Sequence, residues 1–180
     1  DRPGPGWDIV AILLVLALSV AGLGLQQWQG HRMRLAQFVT PFGEVRHIIN
    51  EKLETKLDGV TTFRVENSNG RLQIKTADVP KATVEVEITA TGSTAQEAER
   101  LALDVELHLK QDGERLVFSP TLPAVTGNQA IVINLLVTIP DRSIATELLS
   151  QFGAVETDGL PGSLRVESKN GTVTVNDNRG

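Results

Sequence analysis

The sequence predicts a mainly β protein. A stacked, β-solenoid-like domain carrying one short helix follows a single transmembrane helix and a juxtamembrane amphipathic helix. Three observations lead there. From Thr61 onward, apolar and polar residues alternate with a period of two. A strand–glycine–strand sentence is written twice, FRVENSNGRLQIKT at 63–76 and LRVESKNGTVTVND at 164–177, with five of fourteen positions identical. Residues 9–25, IVAILLVLALSVAGLGL, carry no charge. The expected domains are therefore an anchor at 1–30, a linker or capping helix at 31–60 and the β domain at 61–180.

Eleven of the seventeen residues in the apolar run are Leu, Ile or Val, which favours bilayer insertion by roughly 3–7 kcal/mol before Gly and Ser are counted. Trp7 and Trp28, the two tryptophans of the chain, stand 21 residues apart. At about 1.5 Å per residue that separation matches a hydrocarbon core of ~30 Å. They read as interfacial anchors, with Arg32 and Arg34 facing the headgroups. The rival is a cleavable signal peptide, whose apolar core is shorter and ends at a small-residue cleavage site. Ala17, Ala21 and Gly24 lie on one side of the helix, a small-residue stripe that lets another helix approach closely. The expected partners are thus the lipid bilayer and other membrane-protein subunits. Arg2 precedes the span, whereas Arg32, Arg34 and Arg46 follow it, a balance that favours a cytoplasmic β domain.

In the next segment Phe42, Val45, Ile49 and Leu53, widened by Ile48 and Leu57, form a stripe at helical spacing, and Asp58-Gly59 ends it. The expectation is an amphipathic helix, laid on the membrane or a partner, or else capping the open end of the β domain. His31 and His47 have no companion ligands at metal-site spacing and are expected to be solvated or interfacial.

Within the β region the alternating runs are TTFRVE, RLQIKT, ATVEVEITAT, VELHLKQ, ERLVFS, AIVINLLVTI, GAVET, SLRVES and TVTVND. TAQEAERLALD interrupts them. Thr94 and Glu97 have capping-box spacing, while Ala98, Leu101 and Ala102 supply an apolar face, so a short helix is predicted there. Asn69-Gly70, Asp112-Gly113, Asp158-Gly159 and Asn170-Gly171 mark turns. Gly153 and Gly171 are 18 residues apart, each followed by a short alternating strand. Such a repeat marks a solenoid, whose rungs bury their apolar faces only by stacking. An antiparallel sandwich remains the alternative.

VENSNGRLQIKT, the helix-bearing TAQEAERLALDVELHLKQDGERLVFS, VTIPD at 137–141 and SLRVESKNGTVTVNDNRG resemble, in that order, the bacterial adhesin-like or toastrack domain. The resemblance spans about residues 61–180. It implies a β-solenoid-like fold tethered to a bacterial membrane, on the periplasmic side of the inner membrane, and it brings no catalytic residues with it.

Composition narrows the functions further. The chain has a net charge of −5, and from Thr61 onward 11 basic residues face 16 acidic ones, the wrong balance for nucleic acid. Cysteine and tyrosine are both absent, which removes thiolate chemistry and leaves little aromatic surface for stacking sugars or bases. No P-loop, G-x-S-x-G or G-x-G-x-x-G pattern is present in a strand-to-helix context. His108 reads as a solvated strand residue. Glu85 with Glu87, and Asp104 with Glu106, read as exposed strand charges rather than a cation site. Asn170-Gly171-Thr172 has the form of a glycosylation acceptor, but the turn itself already accounts for those residues.

No cofactor, metal or small-molecule substrate is expected, and no enzymatic activity. The expected function is a single-pass accessory subunit, packing its helix against a larger bacterial membrane complex and placing the β domain on that complex's aqueous face. The alternative is an envelope stress or signalling scaffold, or an adhesin-like protein-binding module. The outward residues Arg64, Glu66, Arg165 and Glu167, shared by the two copies of the repeat, are the candidate partner-binding face.

Overall fold

The computed structural model describes residues 44–179, and residues 33–39 for the course of the backbone. The expected span, with Trp7, Ala17, Ala21, Gly24, Trp28 and Arg32, lies outside the described residues. Among the described residues no helix is long and apolar enough to cross a membrane.

Twelve strands and one helix are described: β1 Met33–Val39, β2 Val45–Thr55, β3 Thr62–Asn69, β4 Leu72–Ala77, β5 Ala82–Gly92, α1 Ala95–Leu103, β6 Glu106–Asp112, β7 Arg115–Thr121, β8 Ala130–Pro140, β9 Ala145–Phe152, β10 Val155–Asp158, β11 Leu164–Asn170 and β12 Val173–Asn176. They form a seven-stranded sheet in the order β1-β2-β5-β8-β4-β10-β12 and a five-stranded sheet in the order β11-β9-β3-β7-β6. The mainly β expectation holds, and the strands stack as expected. In three successive rungs the chain runs along the five-stranded sheet, turns at a glycine and enters the seven-stranded sheet: β3 to β4, β9 to β10 and β11 to β12. Like strands of these rungs pair in parallel and in register, as with Phe63, Thr146 and Leu164, or Leu72, Val155 and Val173.

Parallel stacking lets each rung cover the apolar face of the next. Phe63, Val65, Leu72 and Ile74 of the first rung, and Leu148 and Val155 of the second, are buried within one core that also holds Ile88, Phe118 and Ile133. A fully buried Leu or Phe side chain contributes about 1.5–3 kcal/mol. The rungs turn at Gly70, Gly153 and Gly171, all with positive φ. The corners are tied by backbone bonds from the Gly70 N–H to the Phe152 carbonyl at 3.0 Å, and from the Gly153 N–H to the Asn170 carbonyl at 2.9 Å.

Gly70 and Gly153 are neighbours in space although they stand 83 positions apart in sequence, since β4, β5, α1, β6, β7, β8 and β9 intervene. Of these, β8 enters the seven-stranded sheet between β4 and β5, parallel to one and antiparallel to the other. β7 lies parallel to β3 and forms a hairpin with β6. The helix α1 forms where expected. The Thr94 hydroxyl accepts from the Glu97 N–H at 3.2 Å, and the Glu97 carboxylate accepts from the Ser93 N–H at 2.7 Å. Ala98, Leu101 and Ala102 are buried, and α1 packs on β2 and β5.

The amphipathic helix expected from Phe42 to Leu57 is corrected: Val45–Thr55 is the strand β2, paired antiparallel with β5 from Val45 opposite Gly92 to Thr55 opposite Ala82. The reason lies in the spacing. Val45, Ile49 and Leu53 recur every four residues, which fits a helical face and a strand face equally. The residue between the first two, His47, also points inward and is only 7% exposed, so the expectation of a solvated or interfacial imidazole is corrected too. Arg34 lies in β1, opposite Ile49.

Candidate functional site

Arg64 and Glu66 stand on β3, and Arg165 and Glu167 on β11. These strands are not adjacent, because β9 lies between them. Across the outer face of the five-stranded sheet, Arg64 is in register with Glu147, and Glu147 with Arg165. One step along, Glu66 is in register with Leu149, and Leu149 with Glu167. Neighbouring strands are ~4.8 Å apart, so Arg64 set directly beside Arg165 would face a like charge. The middle rung inserts a carboxylate between them.

The resulting network centres on Glu147. Its Oε2 lies 3.6 Å from Arg64 Nη1 and its Oε1 lies 3.4 Å from Arg115 Nη2, and its side chain is 21% exposed. Arg64 Nε donates to Glu66 Oε1 at 2.7 Å, and Arg165 Nη2 donates to Glu167 Oε1. The hydrogen bond to Glu66 pushes the Arg64 guanidinium above its ordinary pKa, with the Glu66 and Glu147 charges adding to the effect, against the opposing cost of burial. Arg64 is therefore permanently charged. Arg64, Arg115, Glu147, Arg165 and Glu167, with Leu149, line a depression of ≈ 270 Å³.

Three arginines and three glutamates balance in net charge, so the face offers a pattern rather than a field. Paired surface charges of this kind contribute little to stability, about 0–1 kcal/mol each. Their chemical capacity is recognition: guanidinium and carboxylate groups at fixed spacing, beside one apolar contact.

No family model matches the sequence, and no curated protein matches it. Among solved structures, the chain is similar to a candidate cell adhesion protein from Clostridium sporogenes, with 13% identity and a TM-score of 0.47 over 71% of this chain. The chain spans 60% of the length of that protein. A likeness this slight carries no function across.

A second, wider groove of ≈ 880 Å³ runs along the seven-stranded sheet past Gln73, Lys75, Glu156 and Asp158. Gln73 Nε2 donates to Glu156 Oε2 at 2.5 Å there. Among the described residues no group of three His, Asp or Glu could hold a metal ion. Glu87 accepts from Asn134 Nδ2 at 2.8 Å, and Glu85 lies 3.8 Å from Lys52 Nζ. Asp104 is the C-cap of α1 rather than a strand residue, so it and Glu106 do not share the expected strand face. His108 Nε2 lies 3.1 Å from Thr121 Oγ1 and 3.5 Å from Glu106 Oε2 at the surface.

Sequence reasoning selected four of the face residues and missed Arg115, Glu147 and Leu149. The β9 stretch ATELLSQF hides its role. Its inward side chains are Thr146, Leu148 and Ser150, two of them polar, while apolar Leu149 points outward. The usable signal was the second glycine: counting back from Gly153 as from Gly70 and Gly171 aligns Glu147 with Arg64 and Arg165.

Proposed function

We propose that this chain is a non-catalytic protein-binding module, anchored to the inner membrane by residues 9–25, whose five-stranded sheet presents the Glu147-centred face to another protein. The in-register row of Arg64, Glu147 and Arg165 carries this reading, because complementary charge at fixed spacing selects one partner and one orientation. A matching segment offers carboxylates to Arg64 and Arg115 and an apolar side chain to Leu149. In the intact membrane the module serves as an accessory subunit of a larger complex. The adhesin-like or signalling scaffold remains a second reading, supported by the sequence resemblance, and would use the same face away from any complex.

A photo-crosslinking residue placed at Leu149 of the full chain, in native membranes, tests the face, with the same residue at Glu85 on the other sheet as control. A discrete adduct from 149 that disappears when Arg64 and Arg115 are both replaced by Glu supports the proposal. Equal labelling from both positions, or none, removes it. Purification in mild detergent then separates the two readings: a multi-subunit complex fits an accessory subunit, and a lone module with its adduct fits a scaffold. Because the chain lacks cysteine, a single Thr172→Cys substitution reports, by accessibility to a membrane-impermeant thiol reagent, which side of the membrane holds the domain.

A further inference from the structure

The third rung repeats the chemistry of covered rungs without being covered by any of the described residues. Thr146, Leu148 and Val155 of the second rung are 0–2% exposed. The residues in register with them, Leu164, Val166 and Val173, are half-buried to exposed, and Val173 and Val175 reach 42% and 47%. β11 ends the five-stranded sheet and β12 ends the seven-stranded one.

Backbone directions define what the β11 edge can accept. The Ser163 carbonyl accepts from the Thr146 N–H at 2.8 Å, so Ser163 and, by alternation, Arg165 and Glu167 turn their backbone groups toward β9. Those of Leu164, Val166 and Ser168 are left on the free edge. Side chains alternate with them: Arg165 and Glu167 stand on the outer face, 72% and 54% exposed.

We infer that this edge pairs with the same edge of a second copy of the chain, antiparallel, about a two-fold axis through Val166. The charge pattern selects that occupant and register. Centred on Val166, the axis sets Arg165 opposite the partner's Glu167 and Glu167 opposite the partner's Arg165, two complementary pairs from one strand. Centring on Arg165 or on Glu167 would set like charges face to face, and centring on Ser168 would pair Glu167 with the partner's Lys169 but leave Arg165 opposite Gly171, past the end of β11. The Val166-centred register also uses the free backbone groups: Val166 exchanges both hydrogen bonds with its equivalent, and Leu164 does so with the partner's Ser168. Arg165 then falls at a non-hydrogen-bonded position, where opposed side chains come closest, about 4.5–5.5 Å between Cβ atoms. The interface is isologous, as a closed dimer requires, and joins the two five-stranded sheets into one of ten strands. It shares Arg165 and Glu167 with the proposed partner face, but that face is tested through Arg64, Arg115 and Leu149, so the two can fail separately.

A charge-swap mixture tests the inference. The full chain in mild detergent is followed by sedimentation velocity as wild type, as Arg165→Glu, as Glu167→Arg, and as an equimolar mixture of the two variants. Each variant alone faces the partner with two like-charge pairs, and its dimer weakens by roughly tenfold or more. In the mixture Glu at 165 of one copy meets Arg at 167 of the other, and dimer returns. That restoration cannot come from the Arg165–Glu167 contact inside one chain, which is broken in both variants. Wild type that stays monomeric overturns the inference. So do variants that dimerise like wild type, because the contact then lies elsewhere, and so does a mixture that stays monomeric. Circular dichroism confirms that both variants keep their strands.

Discussion

A Cβ on Gly153 would sit 2.0 Å from the carbonyl oxygen of Gly70. The two corners touch backbone to backbone, and Gly171 repeats the contact one rung on, where a Cβ would meet the Gly153 oxygen. The corner glycines Gly70, Gly153 and Gly171 are thus the points at which rungs are allowed to stack.

Gly153→Ala is accordingly expected to destabilise the fold by about 3 kcal/mol or more, from positive φ together with a collision against fixed backbone. Gly113→Ala is the comparison. Gly113 also has positive φ, at 58°, but nothing lies within 4 Å of its added Cβ, so the cost is about 1–2 kcal/mol. Urea midpoints of the two variants measure the difference; equal losses would show that the corner contact contributes nothing.

Asn67, Ser150 and Ser168 lie in register on the inner side of successive rungs. Asn67 Nδ2 donates to the Ile133 carbonyl at 2.9 Å, whereas the Ser150 hydroxyl is buried without a partner among the described residues. Removing an unpaired buried hydroxyl costs little, while removing a bonded amide leaves a carbonyl short. Ser150→Ala should shift stability by less than about 0.5 kcal/mol or raise it, and Asn67→Ala should lower it by about 1–3 kcal/mol. Denaturation curves of both variants check the contrast.

Arg142 reaches back to the segment between β2 and β3, donating from Nη1 to the Leu57 carbonyl at 2.9 Å and from Nη2 to the Val60 carbonyl at 3.1 Å. A fork spanning two acceptors is specific to arginine. Arg142→Ala is expected to cost about 1–2 kcal/mol, and Arg142→Lys to recover less than half of it. Hydrogen exchange at residues 57–61 should rise in both variants.

The Glu97 carboxylate is held below its ordinary pKa, first by the hydrogen bond from Gln129 and then by that from the Ser93 N–H. A depressed acid stabilises the fold above its unfolded pKa, and that contribution fades as pH falls through the lowered folded value. As pH falls through that lowered value, the tie between the start of α1 and the loop at Gln129 should therefore loosen. Amide shifts of Ser93 and Gln129 should titrate together in wild type and lose that titration in Glu97→Gln.

The parts of the fold legible in the sequence were those where one residue type serves one structural need. Strands with a clean inside and outside, such as ATVEVEITAT, were plain, as was the Thr94–Glu97 cap. β2 was not, because its apolar residues sit four apart and period two and period 3.6 coincide there. β9 was missed because a buried Thr and Ser reverse the usual alternation, and with it went Glu147, the centre of the candidate face. The repeat itself was visible, but its two copies are the outer rungs of three. The one between them keeps the glycine and changes nearly everything else.

The excursion between Gly70 and Gly153 also sets the order in which the molecule can be built. The β3–β4 rung finds its lateral neighbours in β7, β8, β9 and β10, so both of its edges wait for residues 115–158. A chain emerging from the ribosome can pair β2 with β5 early, but it holds the β3–β4 rung unpaired until the second half arrives, and closure of that long loop precedes any stabilising contact it brings. Folding of the module is then a late and non-local event, with slow kinetics and a vulnerable interval in which the edges of β3 and β4 remain open to the wrong neighbour.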